Sequence, residues 1–164
     1  KIKSGEIIPY TESADKLPAI SKYYDYDEGA PGKSAQSNGI TCIYRYAEVL
    51  LMYAEASTRA TNSVNQDALN AIQEVQKRAG YQDRQIELTT TTEPTAFLAA
   101  VSNERGWEFF AEMKRWFELV RLEKVKEVRA EEWDASTFNT NHHYYFPVPY
   151  QQVDLAGWTN NAGY

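Results

Sequence analysis

The run Tyr44-Arg45-Tyr46-Ala47-Glu48-Val49-Leu50-Leu51-Met52-Tyr53-Ala54-Glu55-Ala56, followed by Leu69-Asn70-Ala71-Ile72 and Lys77-Arg78-Ala79-Gly80, decides the fold class of this chain. Helix signals start at Ile40. Ile43, Ala47, Leu50, Leu51 and Ala54 recur at helical spacing and make one apolar stripe, with Arg45, Glu48, Glu55 and Arg59 elsewhere on the cylinder. Glu55 and Arg59 stand four apart, a favourable pairing on a helix. Asn62 and Ser63 end the run. Ser63 followed by Gln66 has the form of a capping box, so a second helix is predicted from near Val64. Ala68, Leu69, Ile72, Val75 and Ala79 give its apolar face. Lys77 and Arg78 fall in its last turn, where the helix dipole favours cations, and Gly80 suits the left-handed position that closes a helix. Two helices with a short link form an αα-hairpin of roughly tetratricopeptide length, although only one copy is visible. Such a hairpin cannot bury its own face and needs a neighbour.

Downstream, residues 81–93 read as a polar loop. Pro94 marks a third helix start, because proline is tolerated in a first turn. Phe97, Leu98 and Val101 set its apolar face, and continuing that face leads to Glu104, Arg105 and Glu108. Charges aimed at a core are costly unless paired. The pattern therefore predicts a structural ion network of Arg45, Glu104, Arg105, Glu108 and Arg115, with Arg121 a further candidate. Gly106 is a place where the chain could loosen. A further helix is predicted from Lys114 to about Val128, and Trp107 and Trp116 are read as core. Residues 1–39, punctuated by proline and glycine, read as an irregular lead-in, residues 40–128 as a helical core, and residues 129–164 as an aromatic and proline-rich wrap. Together they give one mainly α domain over residues 1–164.

A formal net charge of -6 argues against a nucleic-acid surface held through phosphates. Cys42 is the single cysteine, which excludes an internal disulfide, and its place before an apolar run predicts a buried helix residue. His142 and His143 are adjacent and so form a poor chelate; exposed loop histidines are expected, with no metal site and no cofactor. No nucleophile elbow, P-loop or dinucleotide fingerprint is present. No apolar stretch reaches the length of a membrane span, and Lys1 to Tyr10 hold no signal-peptide core. An opening Lys1 without Met fits a fragment.

Glu104, Glu108 and Glu112 stand four apart, which could suggest a carboxylate pair for glycoside hydrolysis. Glycosidase carboxylates face each other across a sugar, however, and neighbours on one helix do not. A buried ion network is preferred, and no catalytic residue is assigned. Tyr23, Tyr24 and Tyr26 lie in the first irregular part. Tyr144, Tyr145, Tyr150 and Trp158 lie in the last. Tyr145, Tyr150 and Trp158 are the candidates for a sugar-stacking surface. The plainer expectation is that these rings pin loops onto helices.

The runs quoted above resemble the paired helices of the SusD/RagB family. Glu104-Arg105-Gly106-Trp107-Glu108-Phe109 and Arg115-Trp116-Phe117-Glu118-Leu119 are similar to the family's next signature, and Phe146-Pro147-Val148-Pro149 and Asn161-Ala162-Gly163-Tyr164 to its closing elements. Gly106, Met113, Glu118 and Ala162 depart from that pattern. The resemblance covers residues 44–164. It implies a helical, tetratricopeptide-like, non-catalytic protein on the outer face of the bacterial outer membrane, held by an N-terminal lipid anchor not in this chain. It also implies binding of glycans or other nutrients and a TonB-dependent, SusC-like transporter as partner. The principal glycan-binding aromatics of the starch-binding prototype lie upstream, so no ligand residue is carried over. A tetratricopeptide-like protein-interaction module and, less favoured, a glycan-active enzyme are the alternatives.

Overall fold

A computed structural model describes residues 2–3, 6–7, 20, 22, 42–128 and 140–164. Ile40 and the tyrosines at 23, 24 and 26 lie outside the described residues. The chain falls into two compact units, residues 1–111 and 112–164. In the first, strands β1 (Ile2–Lys3) and β2 (Glu6–Ile7) pair antiparallel, with Ile2 opposite Ile7. Helices α1 (Tyr46–Thr61), α2 (Gln66–Arg78) and α3 (Pro94–Glu108) follow, with a 3-10 turn (Gln82–Arg84) before α3. The second unit holds α4 (Arg115–Arg121), α5 (Val125–Val128), α6 (Thr140–His143) and α7 (Tyr150–Ala156). The mainly α fold agrees with the sequence reading.

The helix ends show how local chemistry fixes these bounds. The start of α2 is capped by Asn65, whose Oδ1 accepts from the Ala68 N–H at 2.8 Å. Ser63 does not act as the cap; its hydroxyl bonds to Thr61 Oγ1 at 3.0 Å, and Gln66 is the first helical residue rather than the third. Asn65→Ala should therefore cost about 1 kcal/mol, the usual size of a lost cap. Ser63→Ala should stay within about 0.5 kcal/mol, as surface substitutions do. Urea unfolding of both variants checks this, and the reverse order would restore Ser63 as the cap.

At the other end of α2, the Tyr81 N–H donates to the Gln76 carbonyl and the Gly80 N–H to the Lys77 carbonyl. Gly80 holds φ +77, so the helix closes by the reversal that glycine favours. α3 opens with Pro94 behind Glu93, whose carboxylate accepts from the N–H groups of Ala96 and Thr95. Those two bonds lower the Glu93 pKa from its ordinary value.

Several expected placements change. α1 begins at Tyr46, not Ile40, so Ile43 and Cys42 precede it and both are exposed. Glu48 and Glu55 are buried, because α1 packs against both α2 and α3 and more than one stripe is covered. The core of this unit is built on Leu51, Ala54, Ala68, Leu69, Ile72, Val75, Phe97, Val101 and Phe109. α3 runs through Gly106 without a break and stops at Glu108, so Glu112 lies beyond it. Trp107 is 65% exposed rather than core, whereas Trp116 packs against Leu119 and Val125 in the second unit.

The single helix expected over 114–128 is two helices. Glu123, at φ +56, ends α4, with the Lys124 N–H on the Leu119 carbonyl and the Glu123 N–H on the Val120 carbonyl. This is the closure that Gly80 makes in α2, here carried by a residue with no sequence signal for it. Glu123→Gly should stabilise the unit by about 1 kcal/mol by relieving the left-handed cost. A thermal midpoint that falls instead would mean the break is not held in that conformation. α7 also goes beyond the expected irregular wrap. Pro149 stands at its start and Gly157, at φ +70, at its end.

Candidate functional site

Glu104, Arg105 and Glu108, within about one turn of α3, carry the charged cluster. The Glu108 carboxylate accepts from Arg45 Nη1 at 2.5 Å and from Arg78 Nη2. Arg45 Nη2 also donates to the Glu108 carbonyl at 2.7 Å, and Lys22 Nζ donates to the same carbonyl at 2.8 Å. Cations thus meet the C-terminal end of α3, where the helix dipole favours them. Arg105 lies 3.7 Å from the Glu48 carboxylate. The Arg45 and Arg105 guanidinium carbons stand 4.7 and 5.3 Å from the centre of the Phe109 ring. Delocalised cations sit favourably over such a face.

Glu104, only 1% exposed, is held differently. Its Oε2 accepts from the Tyr81 hydroxyl at 2.6 Å and from Gln76 Nε2 at 3.2 Å. Burial, then the Glu104 carboxylate beside it, raise the Tyr81 phenol well above its ordinary value, so it stays a protonated donor. Gln76 is fixed in turn by the loop before α3. Its amide donates to Thr89 Oγ1 at 2.8 Å and accepts from the Thr89 N–H at 2.9 Å.

Of the residues assigned to the network, the structure brings together Arg45 with Glu108 and places Arg105 against Glu48. Arg115 lies in the second unit, 3.5 Å from Glu118. Sequence reading missed Arg78, Tyr81 and Gln76. Arg78 was legible only as a dipole partner in the last turn of α2, and nothing local says that this turn meets α3.

Arg45, Arg78, Tyr81, Glu104 and Glu108 border a cavity of about 550 Å³, which Trp107 and Arg84 also line. Its two carboxylates, Glu104 and Glu108, come from one helix a turn apart. Acid–base hydrolysis needs carboxylates on opposite sides of the bond. Among the described residues the cavity lining offers no such opposing pair.

In the second unit, Tyr145, Tyr150 and Trp158 are each more than half exposed, so most of each ring is not pinned into a core. The chain around them is tied by its last residues. Asn160 Oδ1 accepts from the Val148 N–H at 2.8 Å, Asn161 Nδ2 donates to the Phe146 carbonyl at 2.6 Å, and the Tyr164 hydroxyl donates to the Tyr145 carbonyl at 3.0 Å. Tyr164 stacks on His142 at 4.0 Å between ring centres. Gly163 holds φ +97, and a Cβ there would collide with the His142 ring. His142 and His143 are half-buried in and after this stack rather than exposed loop residues. Among the described residues no group of three or more His, Cys, Asp or Glu could hold a metal.

The family model of the SusD family matches residues 2–164. SusD-like protein P2 of Formosa agariphila is 29% identical over 99% of this chain, and SusD-like protein P25 of the same organism is 27% identical over 85% of it. The chain spans 34% and 26% of the lengths of these two relatives. A solved SusD superfamily protein from Parabacteroides distasonis aligns over 74% of this chain and 27% of its own, with a TM-score of 0.62 and 29% identity. A SusD homolog from Bacteroides thetaiotaomicron aligns over 80% of this chain and 30% of its own, with a TM-score of 0.63 and 26% identity. Matched along nearly its whole length by the family model and sharing its fold with two solved relatives, the chain belongs to the SusD family.

Proposed function

We propose that this chain is part of a non-catalytic nutrient-binding protein of the bacterial outer-membrane surface. It binds a glycan or oligosaccharide and works with a TonB-dependent, SusC-like transporter that imports it. The observation that carries this reading is the family match across residues 2–164. The engagement of Glu104 and Glu108 by donors, with no opposing carboxylate among the described lining residues, supports binding rather than turnover. Among the described residues no helix is long and apolar enough to cross a membrane. Membrane attachment through a lipid anchor belongs to the same reading.

A tagged full-length protein, purified from detergent-extracted outer membranes, should bring down a TonB-dependent transporter in stoichiometric amount. Purification without any such transporter would sink the partnership. A second reading, a tetratricopeptide-like interaction module, is favoured by the exposed stripe of Tyr46, Val49 and Tyr53 on α1. It predicts instead that a soluble protein co-purifies and that alanine at these positions releases it.

A further inference from the structure

Among the described residues, the lining of the first unit's cavity carries more positive than negative charge. Four cationic and two acidic described side chains line it, although the chain as a whole has a formal charge of -6. Both acids are already engaged, Glu108 by Arg45 and Arg78, and Glu104 by Tyr81 and Gln76. What remains to meet a ligand is cationic and aromatic. Arg84 makes no ion pair among the described residues, and its neighbour Asp83 does not pair with it. Arg78 has a side chain 64% exposed and uses one nitrogen on Glu108, so other N–H donors of its guanidinium fork stay available. Trp107, next to Glu108 in α3, presents an exposed indole to the same space. Trp107, with most of its ring exposed, thus lines the same cavity as the unpaired Arg84. The volume, about 550 Å³, is that of a small-ligand site.

We infer that this cavity takes an acidic saccharide unit, with its pyranose ring against Trp107 and its carboxylate or sulfate on Arg84 and Arg78. The C–H face of a pyranose is apolar and meets the electron-rich indole face favourably. A guanidinium fork matches either anionic group with paired, charge-assisted hydrogen bonds. A neutral sugar would use the ring and leave Arg84 unmatched, and a bare inorganic anion would leave Trp107 unused. The site deepens the nutrient-binding reading above and rests on it.

The test is calorimetric titration of this chain, at low salt, with trigalacturonate and with a sulfated galactan trisaccharide, each beside neutral galactotriose. At least one acidic trisaccharide should bind, with galactotriose roughly tenfold weaker or more, the size of one lost charge-assisted contact. The two acidic arms tell carboxylate from sulfate. Arg84→Gln should cut the preference for acid severalfold, with Arg78 holding the rest, and Trp107→Ala should weaken acidic and neutral ligands alike. Both side chains are exposed, so thermal unfolding should be nearly unchanged and will show whether either variant has lost its fold. Binding of neither acidic trisaccharide, equal affinity for galactotriose, or an acid preference undiminished by Arg84→Gln would overturn the site. Transporter co-purification by the full-length protein separates the two failures. If it persists, the cavity assignment alone falls; if it too is lost, the nutrient-binding reading falls with it.

Discussion

Replacing Phe97 with alanine should destabilise the first unit by about 3–5 kcal/mol. The ring is fully buried, in the cluster with Leu51, Ala54, Ile72 and Val101. It sits near the start of α3, and the cluster draws on all three long helices. Truncation removes apolar surface from the core and leaves a cavity that helices held on several sides cannot close. Urea unfolding followed by far-UV circular dichroism checks the value, with the change read in the midpoint at constant slope. A loss under about 1 kcal/mol, the centre of ordinary substitutions, would mean that the ring is not a core anchor.

Glu108→Ala should cost about 3 kcal/mol, the low end of the range for breaking a buried pair. Its side chain is only 5% exposed and neutralises two arginines. Removing it leaves Arg45, whose side chain is 27% exposed, without its carboxylate against the end of α3. Arg78 reaches water more easily, which is why the low end applies. Glu108→Gln should recover part of the loss, because an amide oxygen still accepts one hydrogen bond. Equal stability of the alanine variant and the parent in urea would show that the pair is solvated and that the charged face of α3 is not structural.

The apolar periodicity of residues 47–54 and 68–79 made the hairpin legible, since a stripe at helical spacing has one physical reading. The charged face of α3 was legible too, because Phe97 and Val101 fix the side that Glu104, Arg105 and Glu108 must share. The partners of those charges were not. Arg78, Tyr81 and Gln76 become partners only when the end of α2 packs beside α3, a tertiary fact with no local signal. Arg115 was assigned to the same network on charge alone and lies instead beside Glu118, in the other unit. The break at Glu123 was hidden for a different reason, since a left-handed residue that is not glycine leaves no trace in composition. The start of α7 was obscured by the aromatic and proline-rich run before it, although Pro149 and Gly157 bracket the helix. Exposure of Trp107 was missed because a tryptophan within a helix was assigned to the core, and α3 buries the other side.

The most direct test of binding without turnover is affinity electrophoresis of this chain through gels containing neutral and acidic polysaccharides, with reducing ends assayed in parallel. Retardation by at least one glycan with no new reducing ends is the expected result. Release of reducing ends that Glu104→Gln or Glu108→Gln abolishes would contradict it and make the cavity an active site.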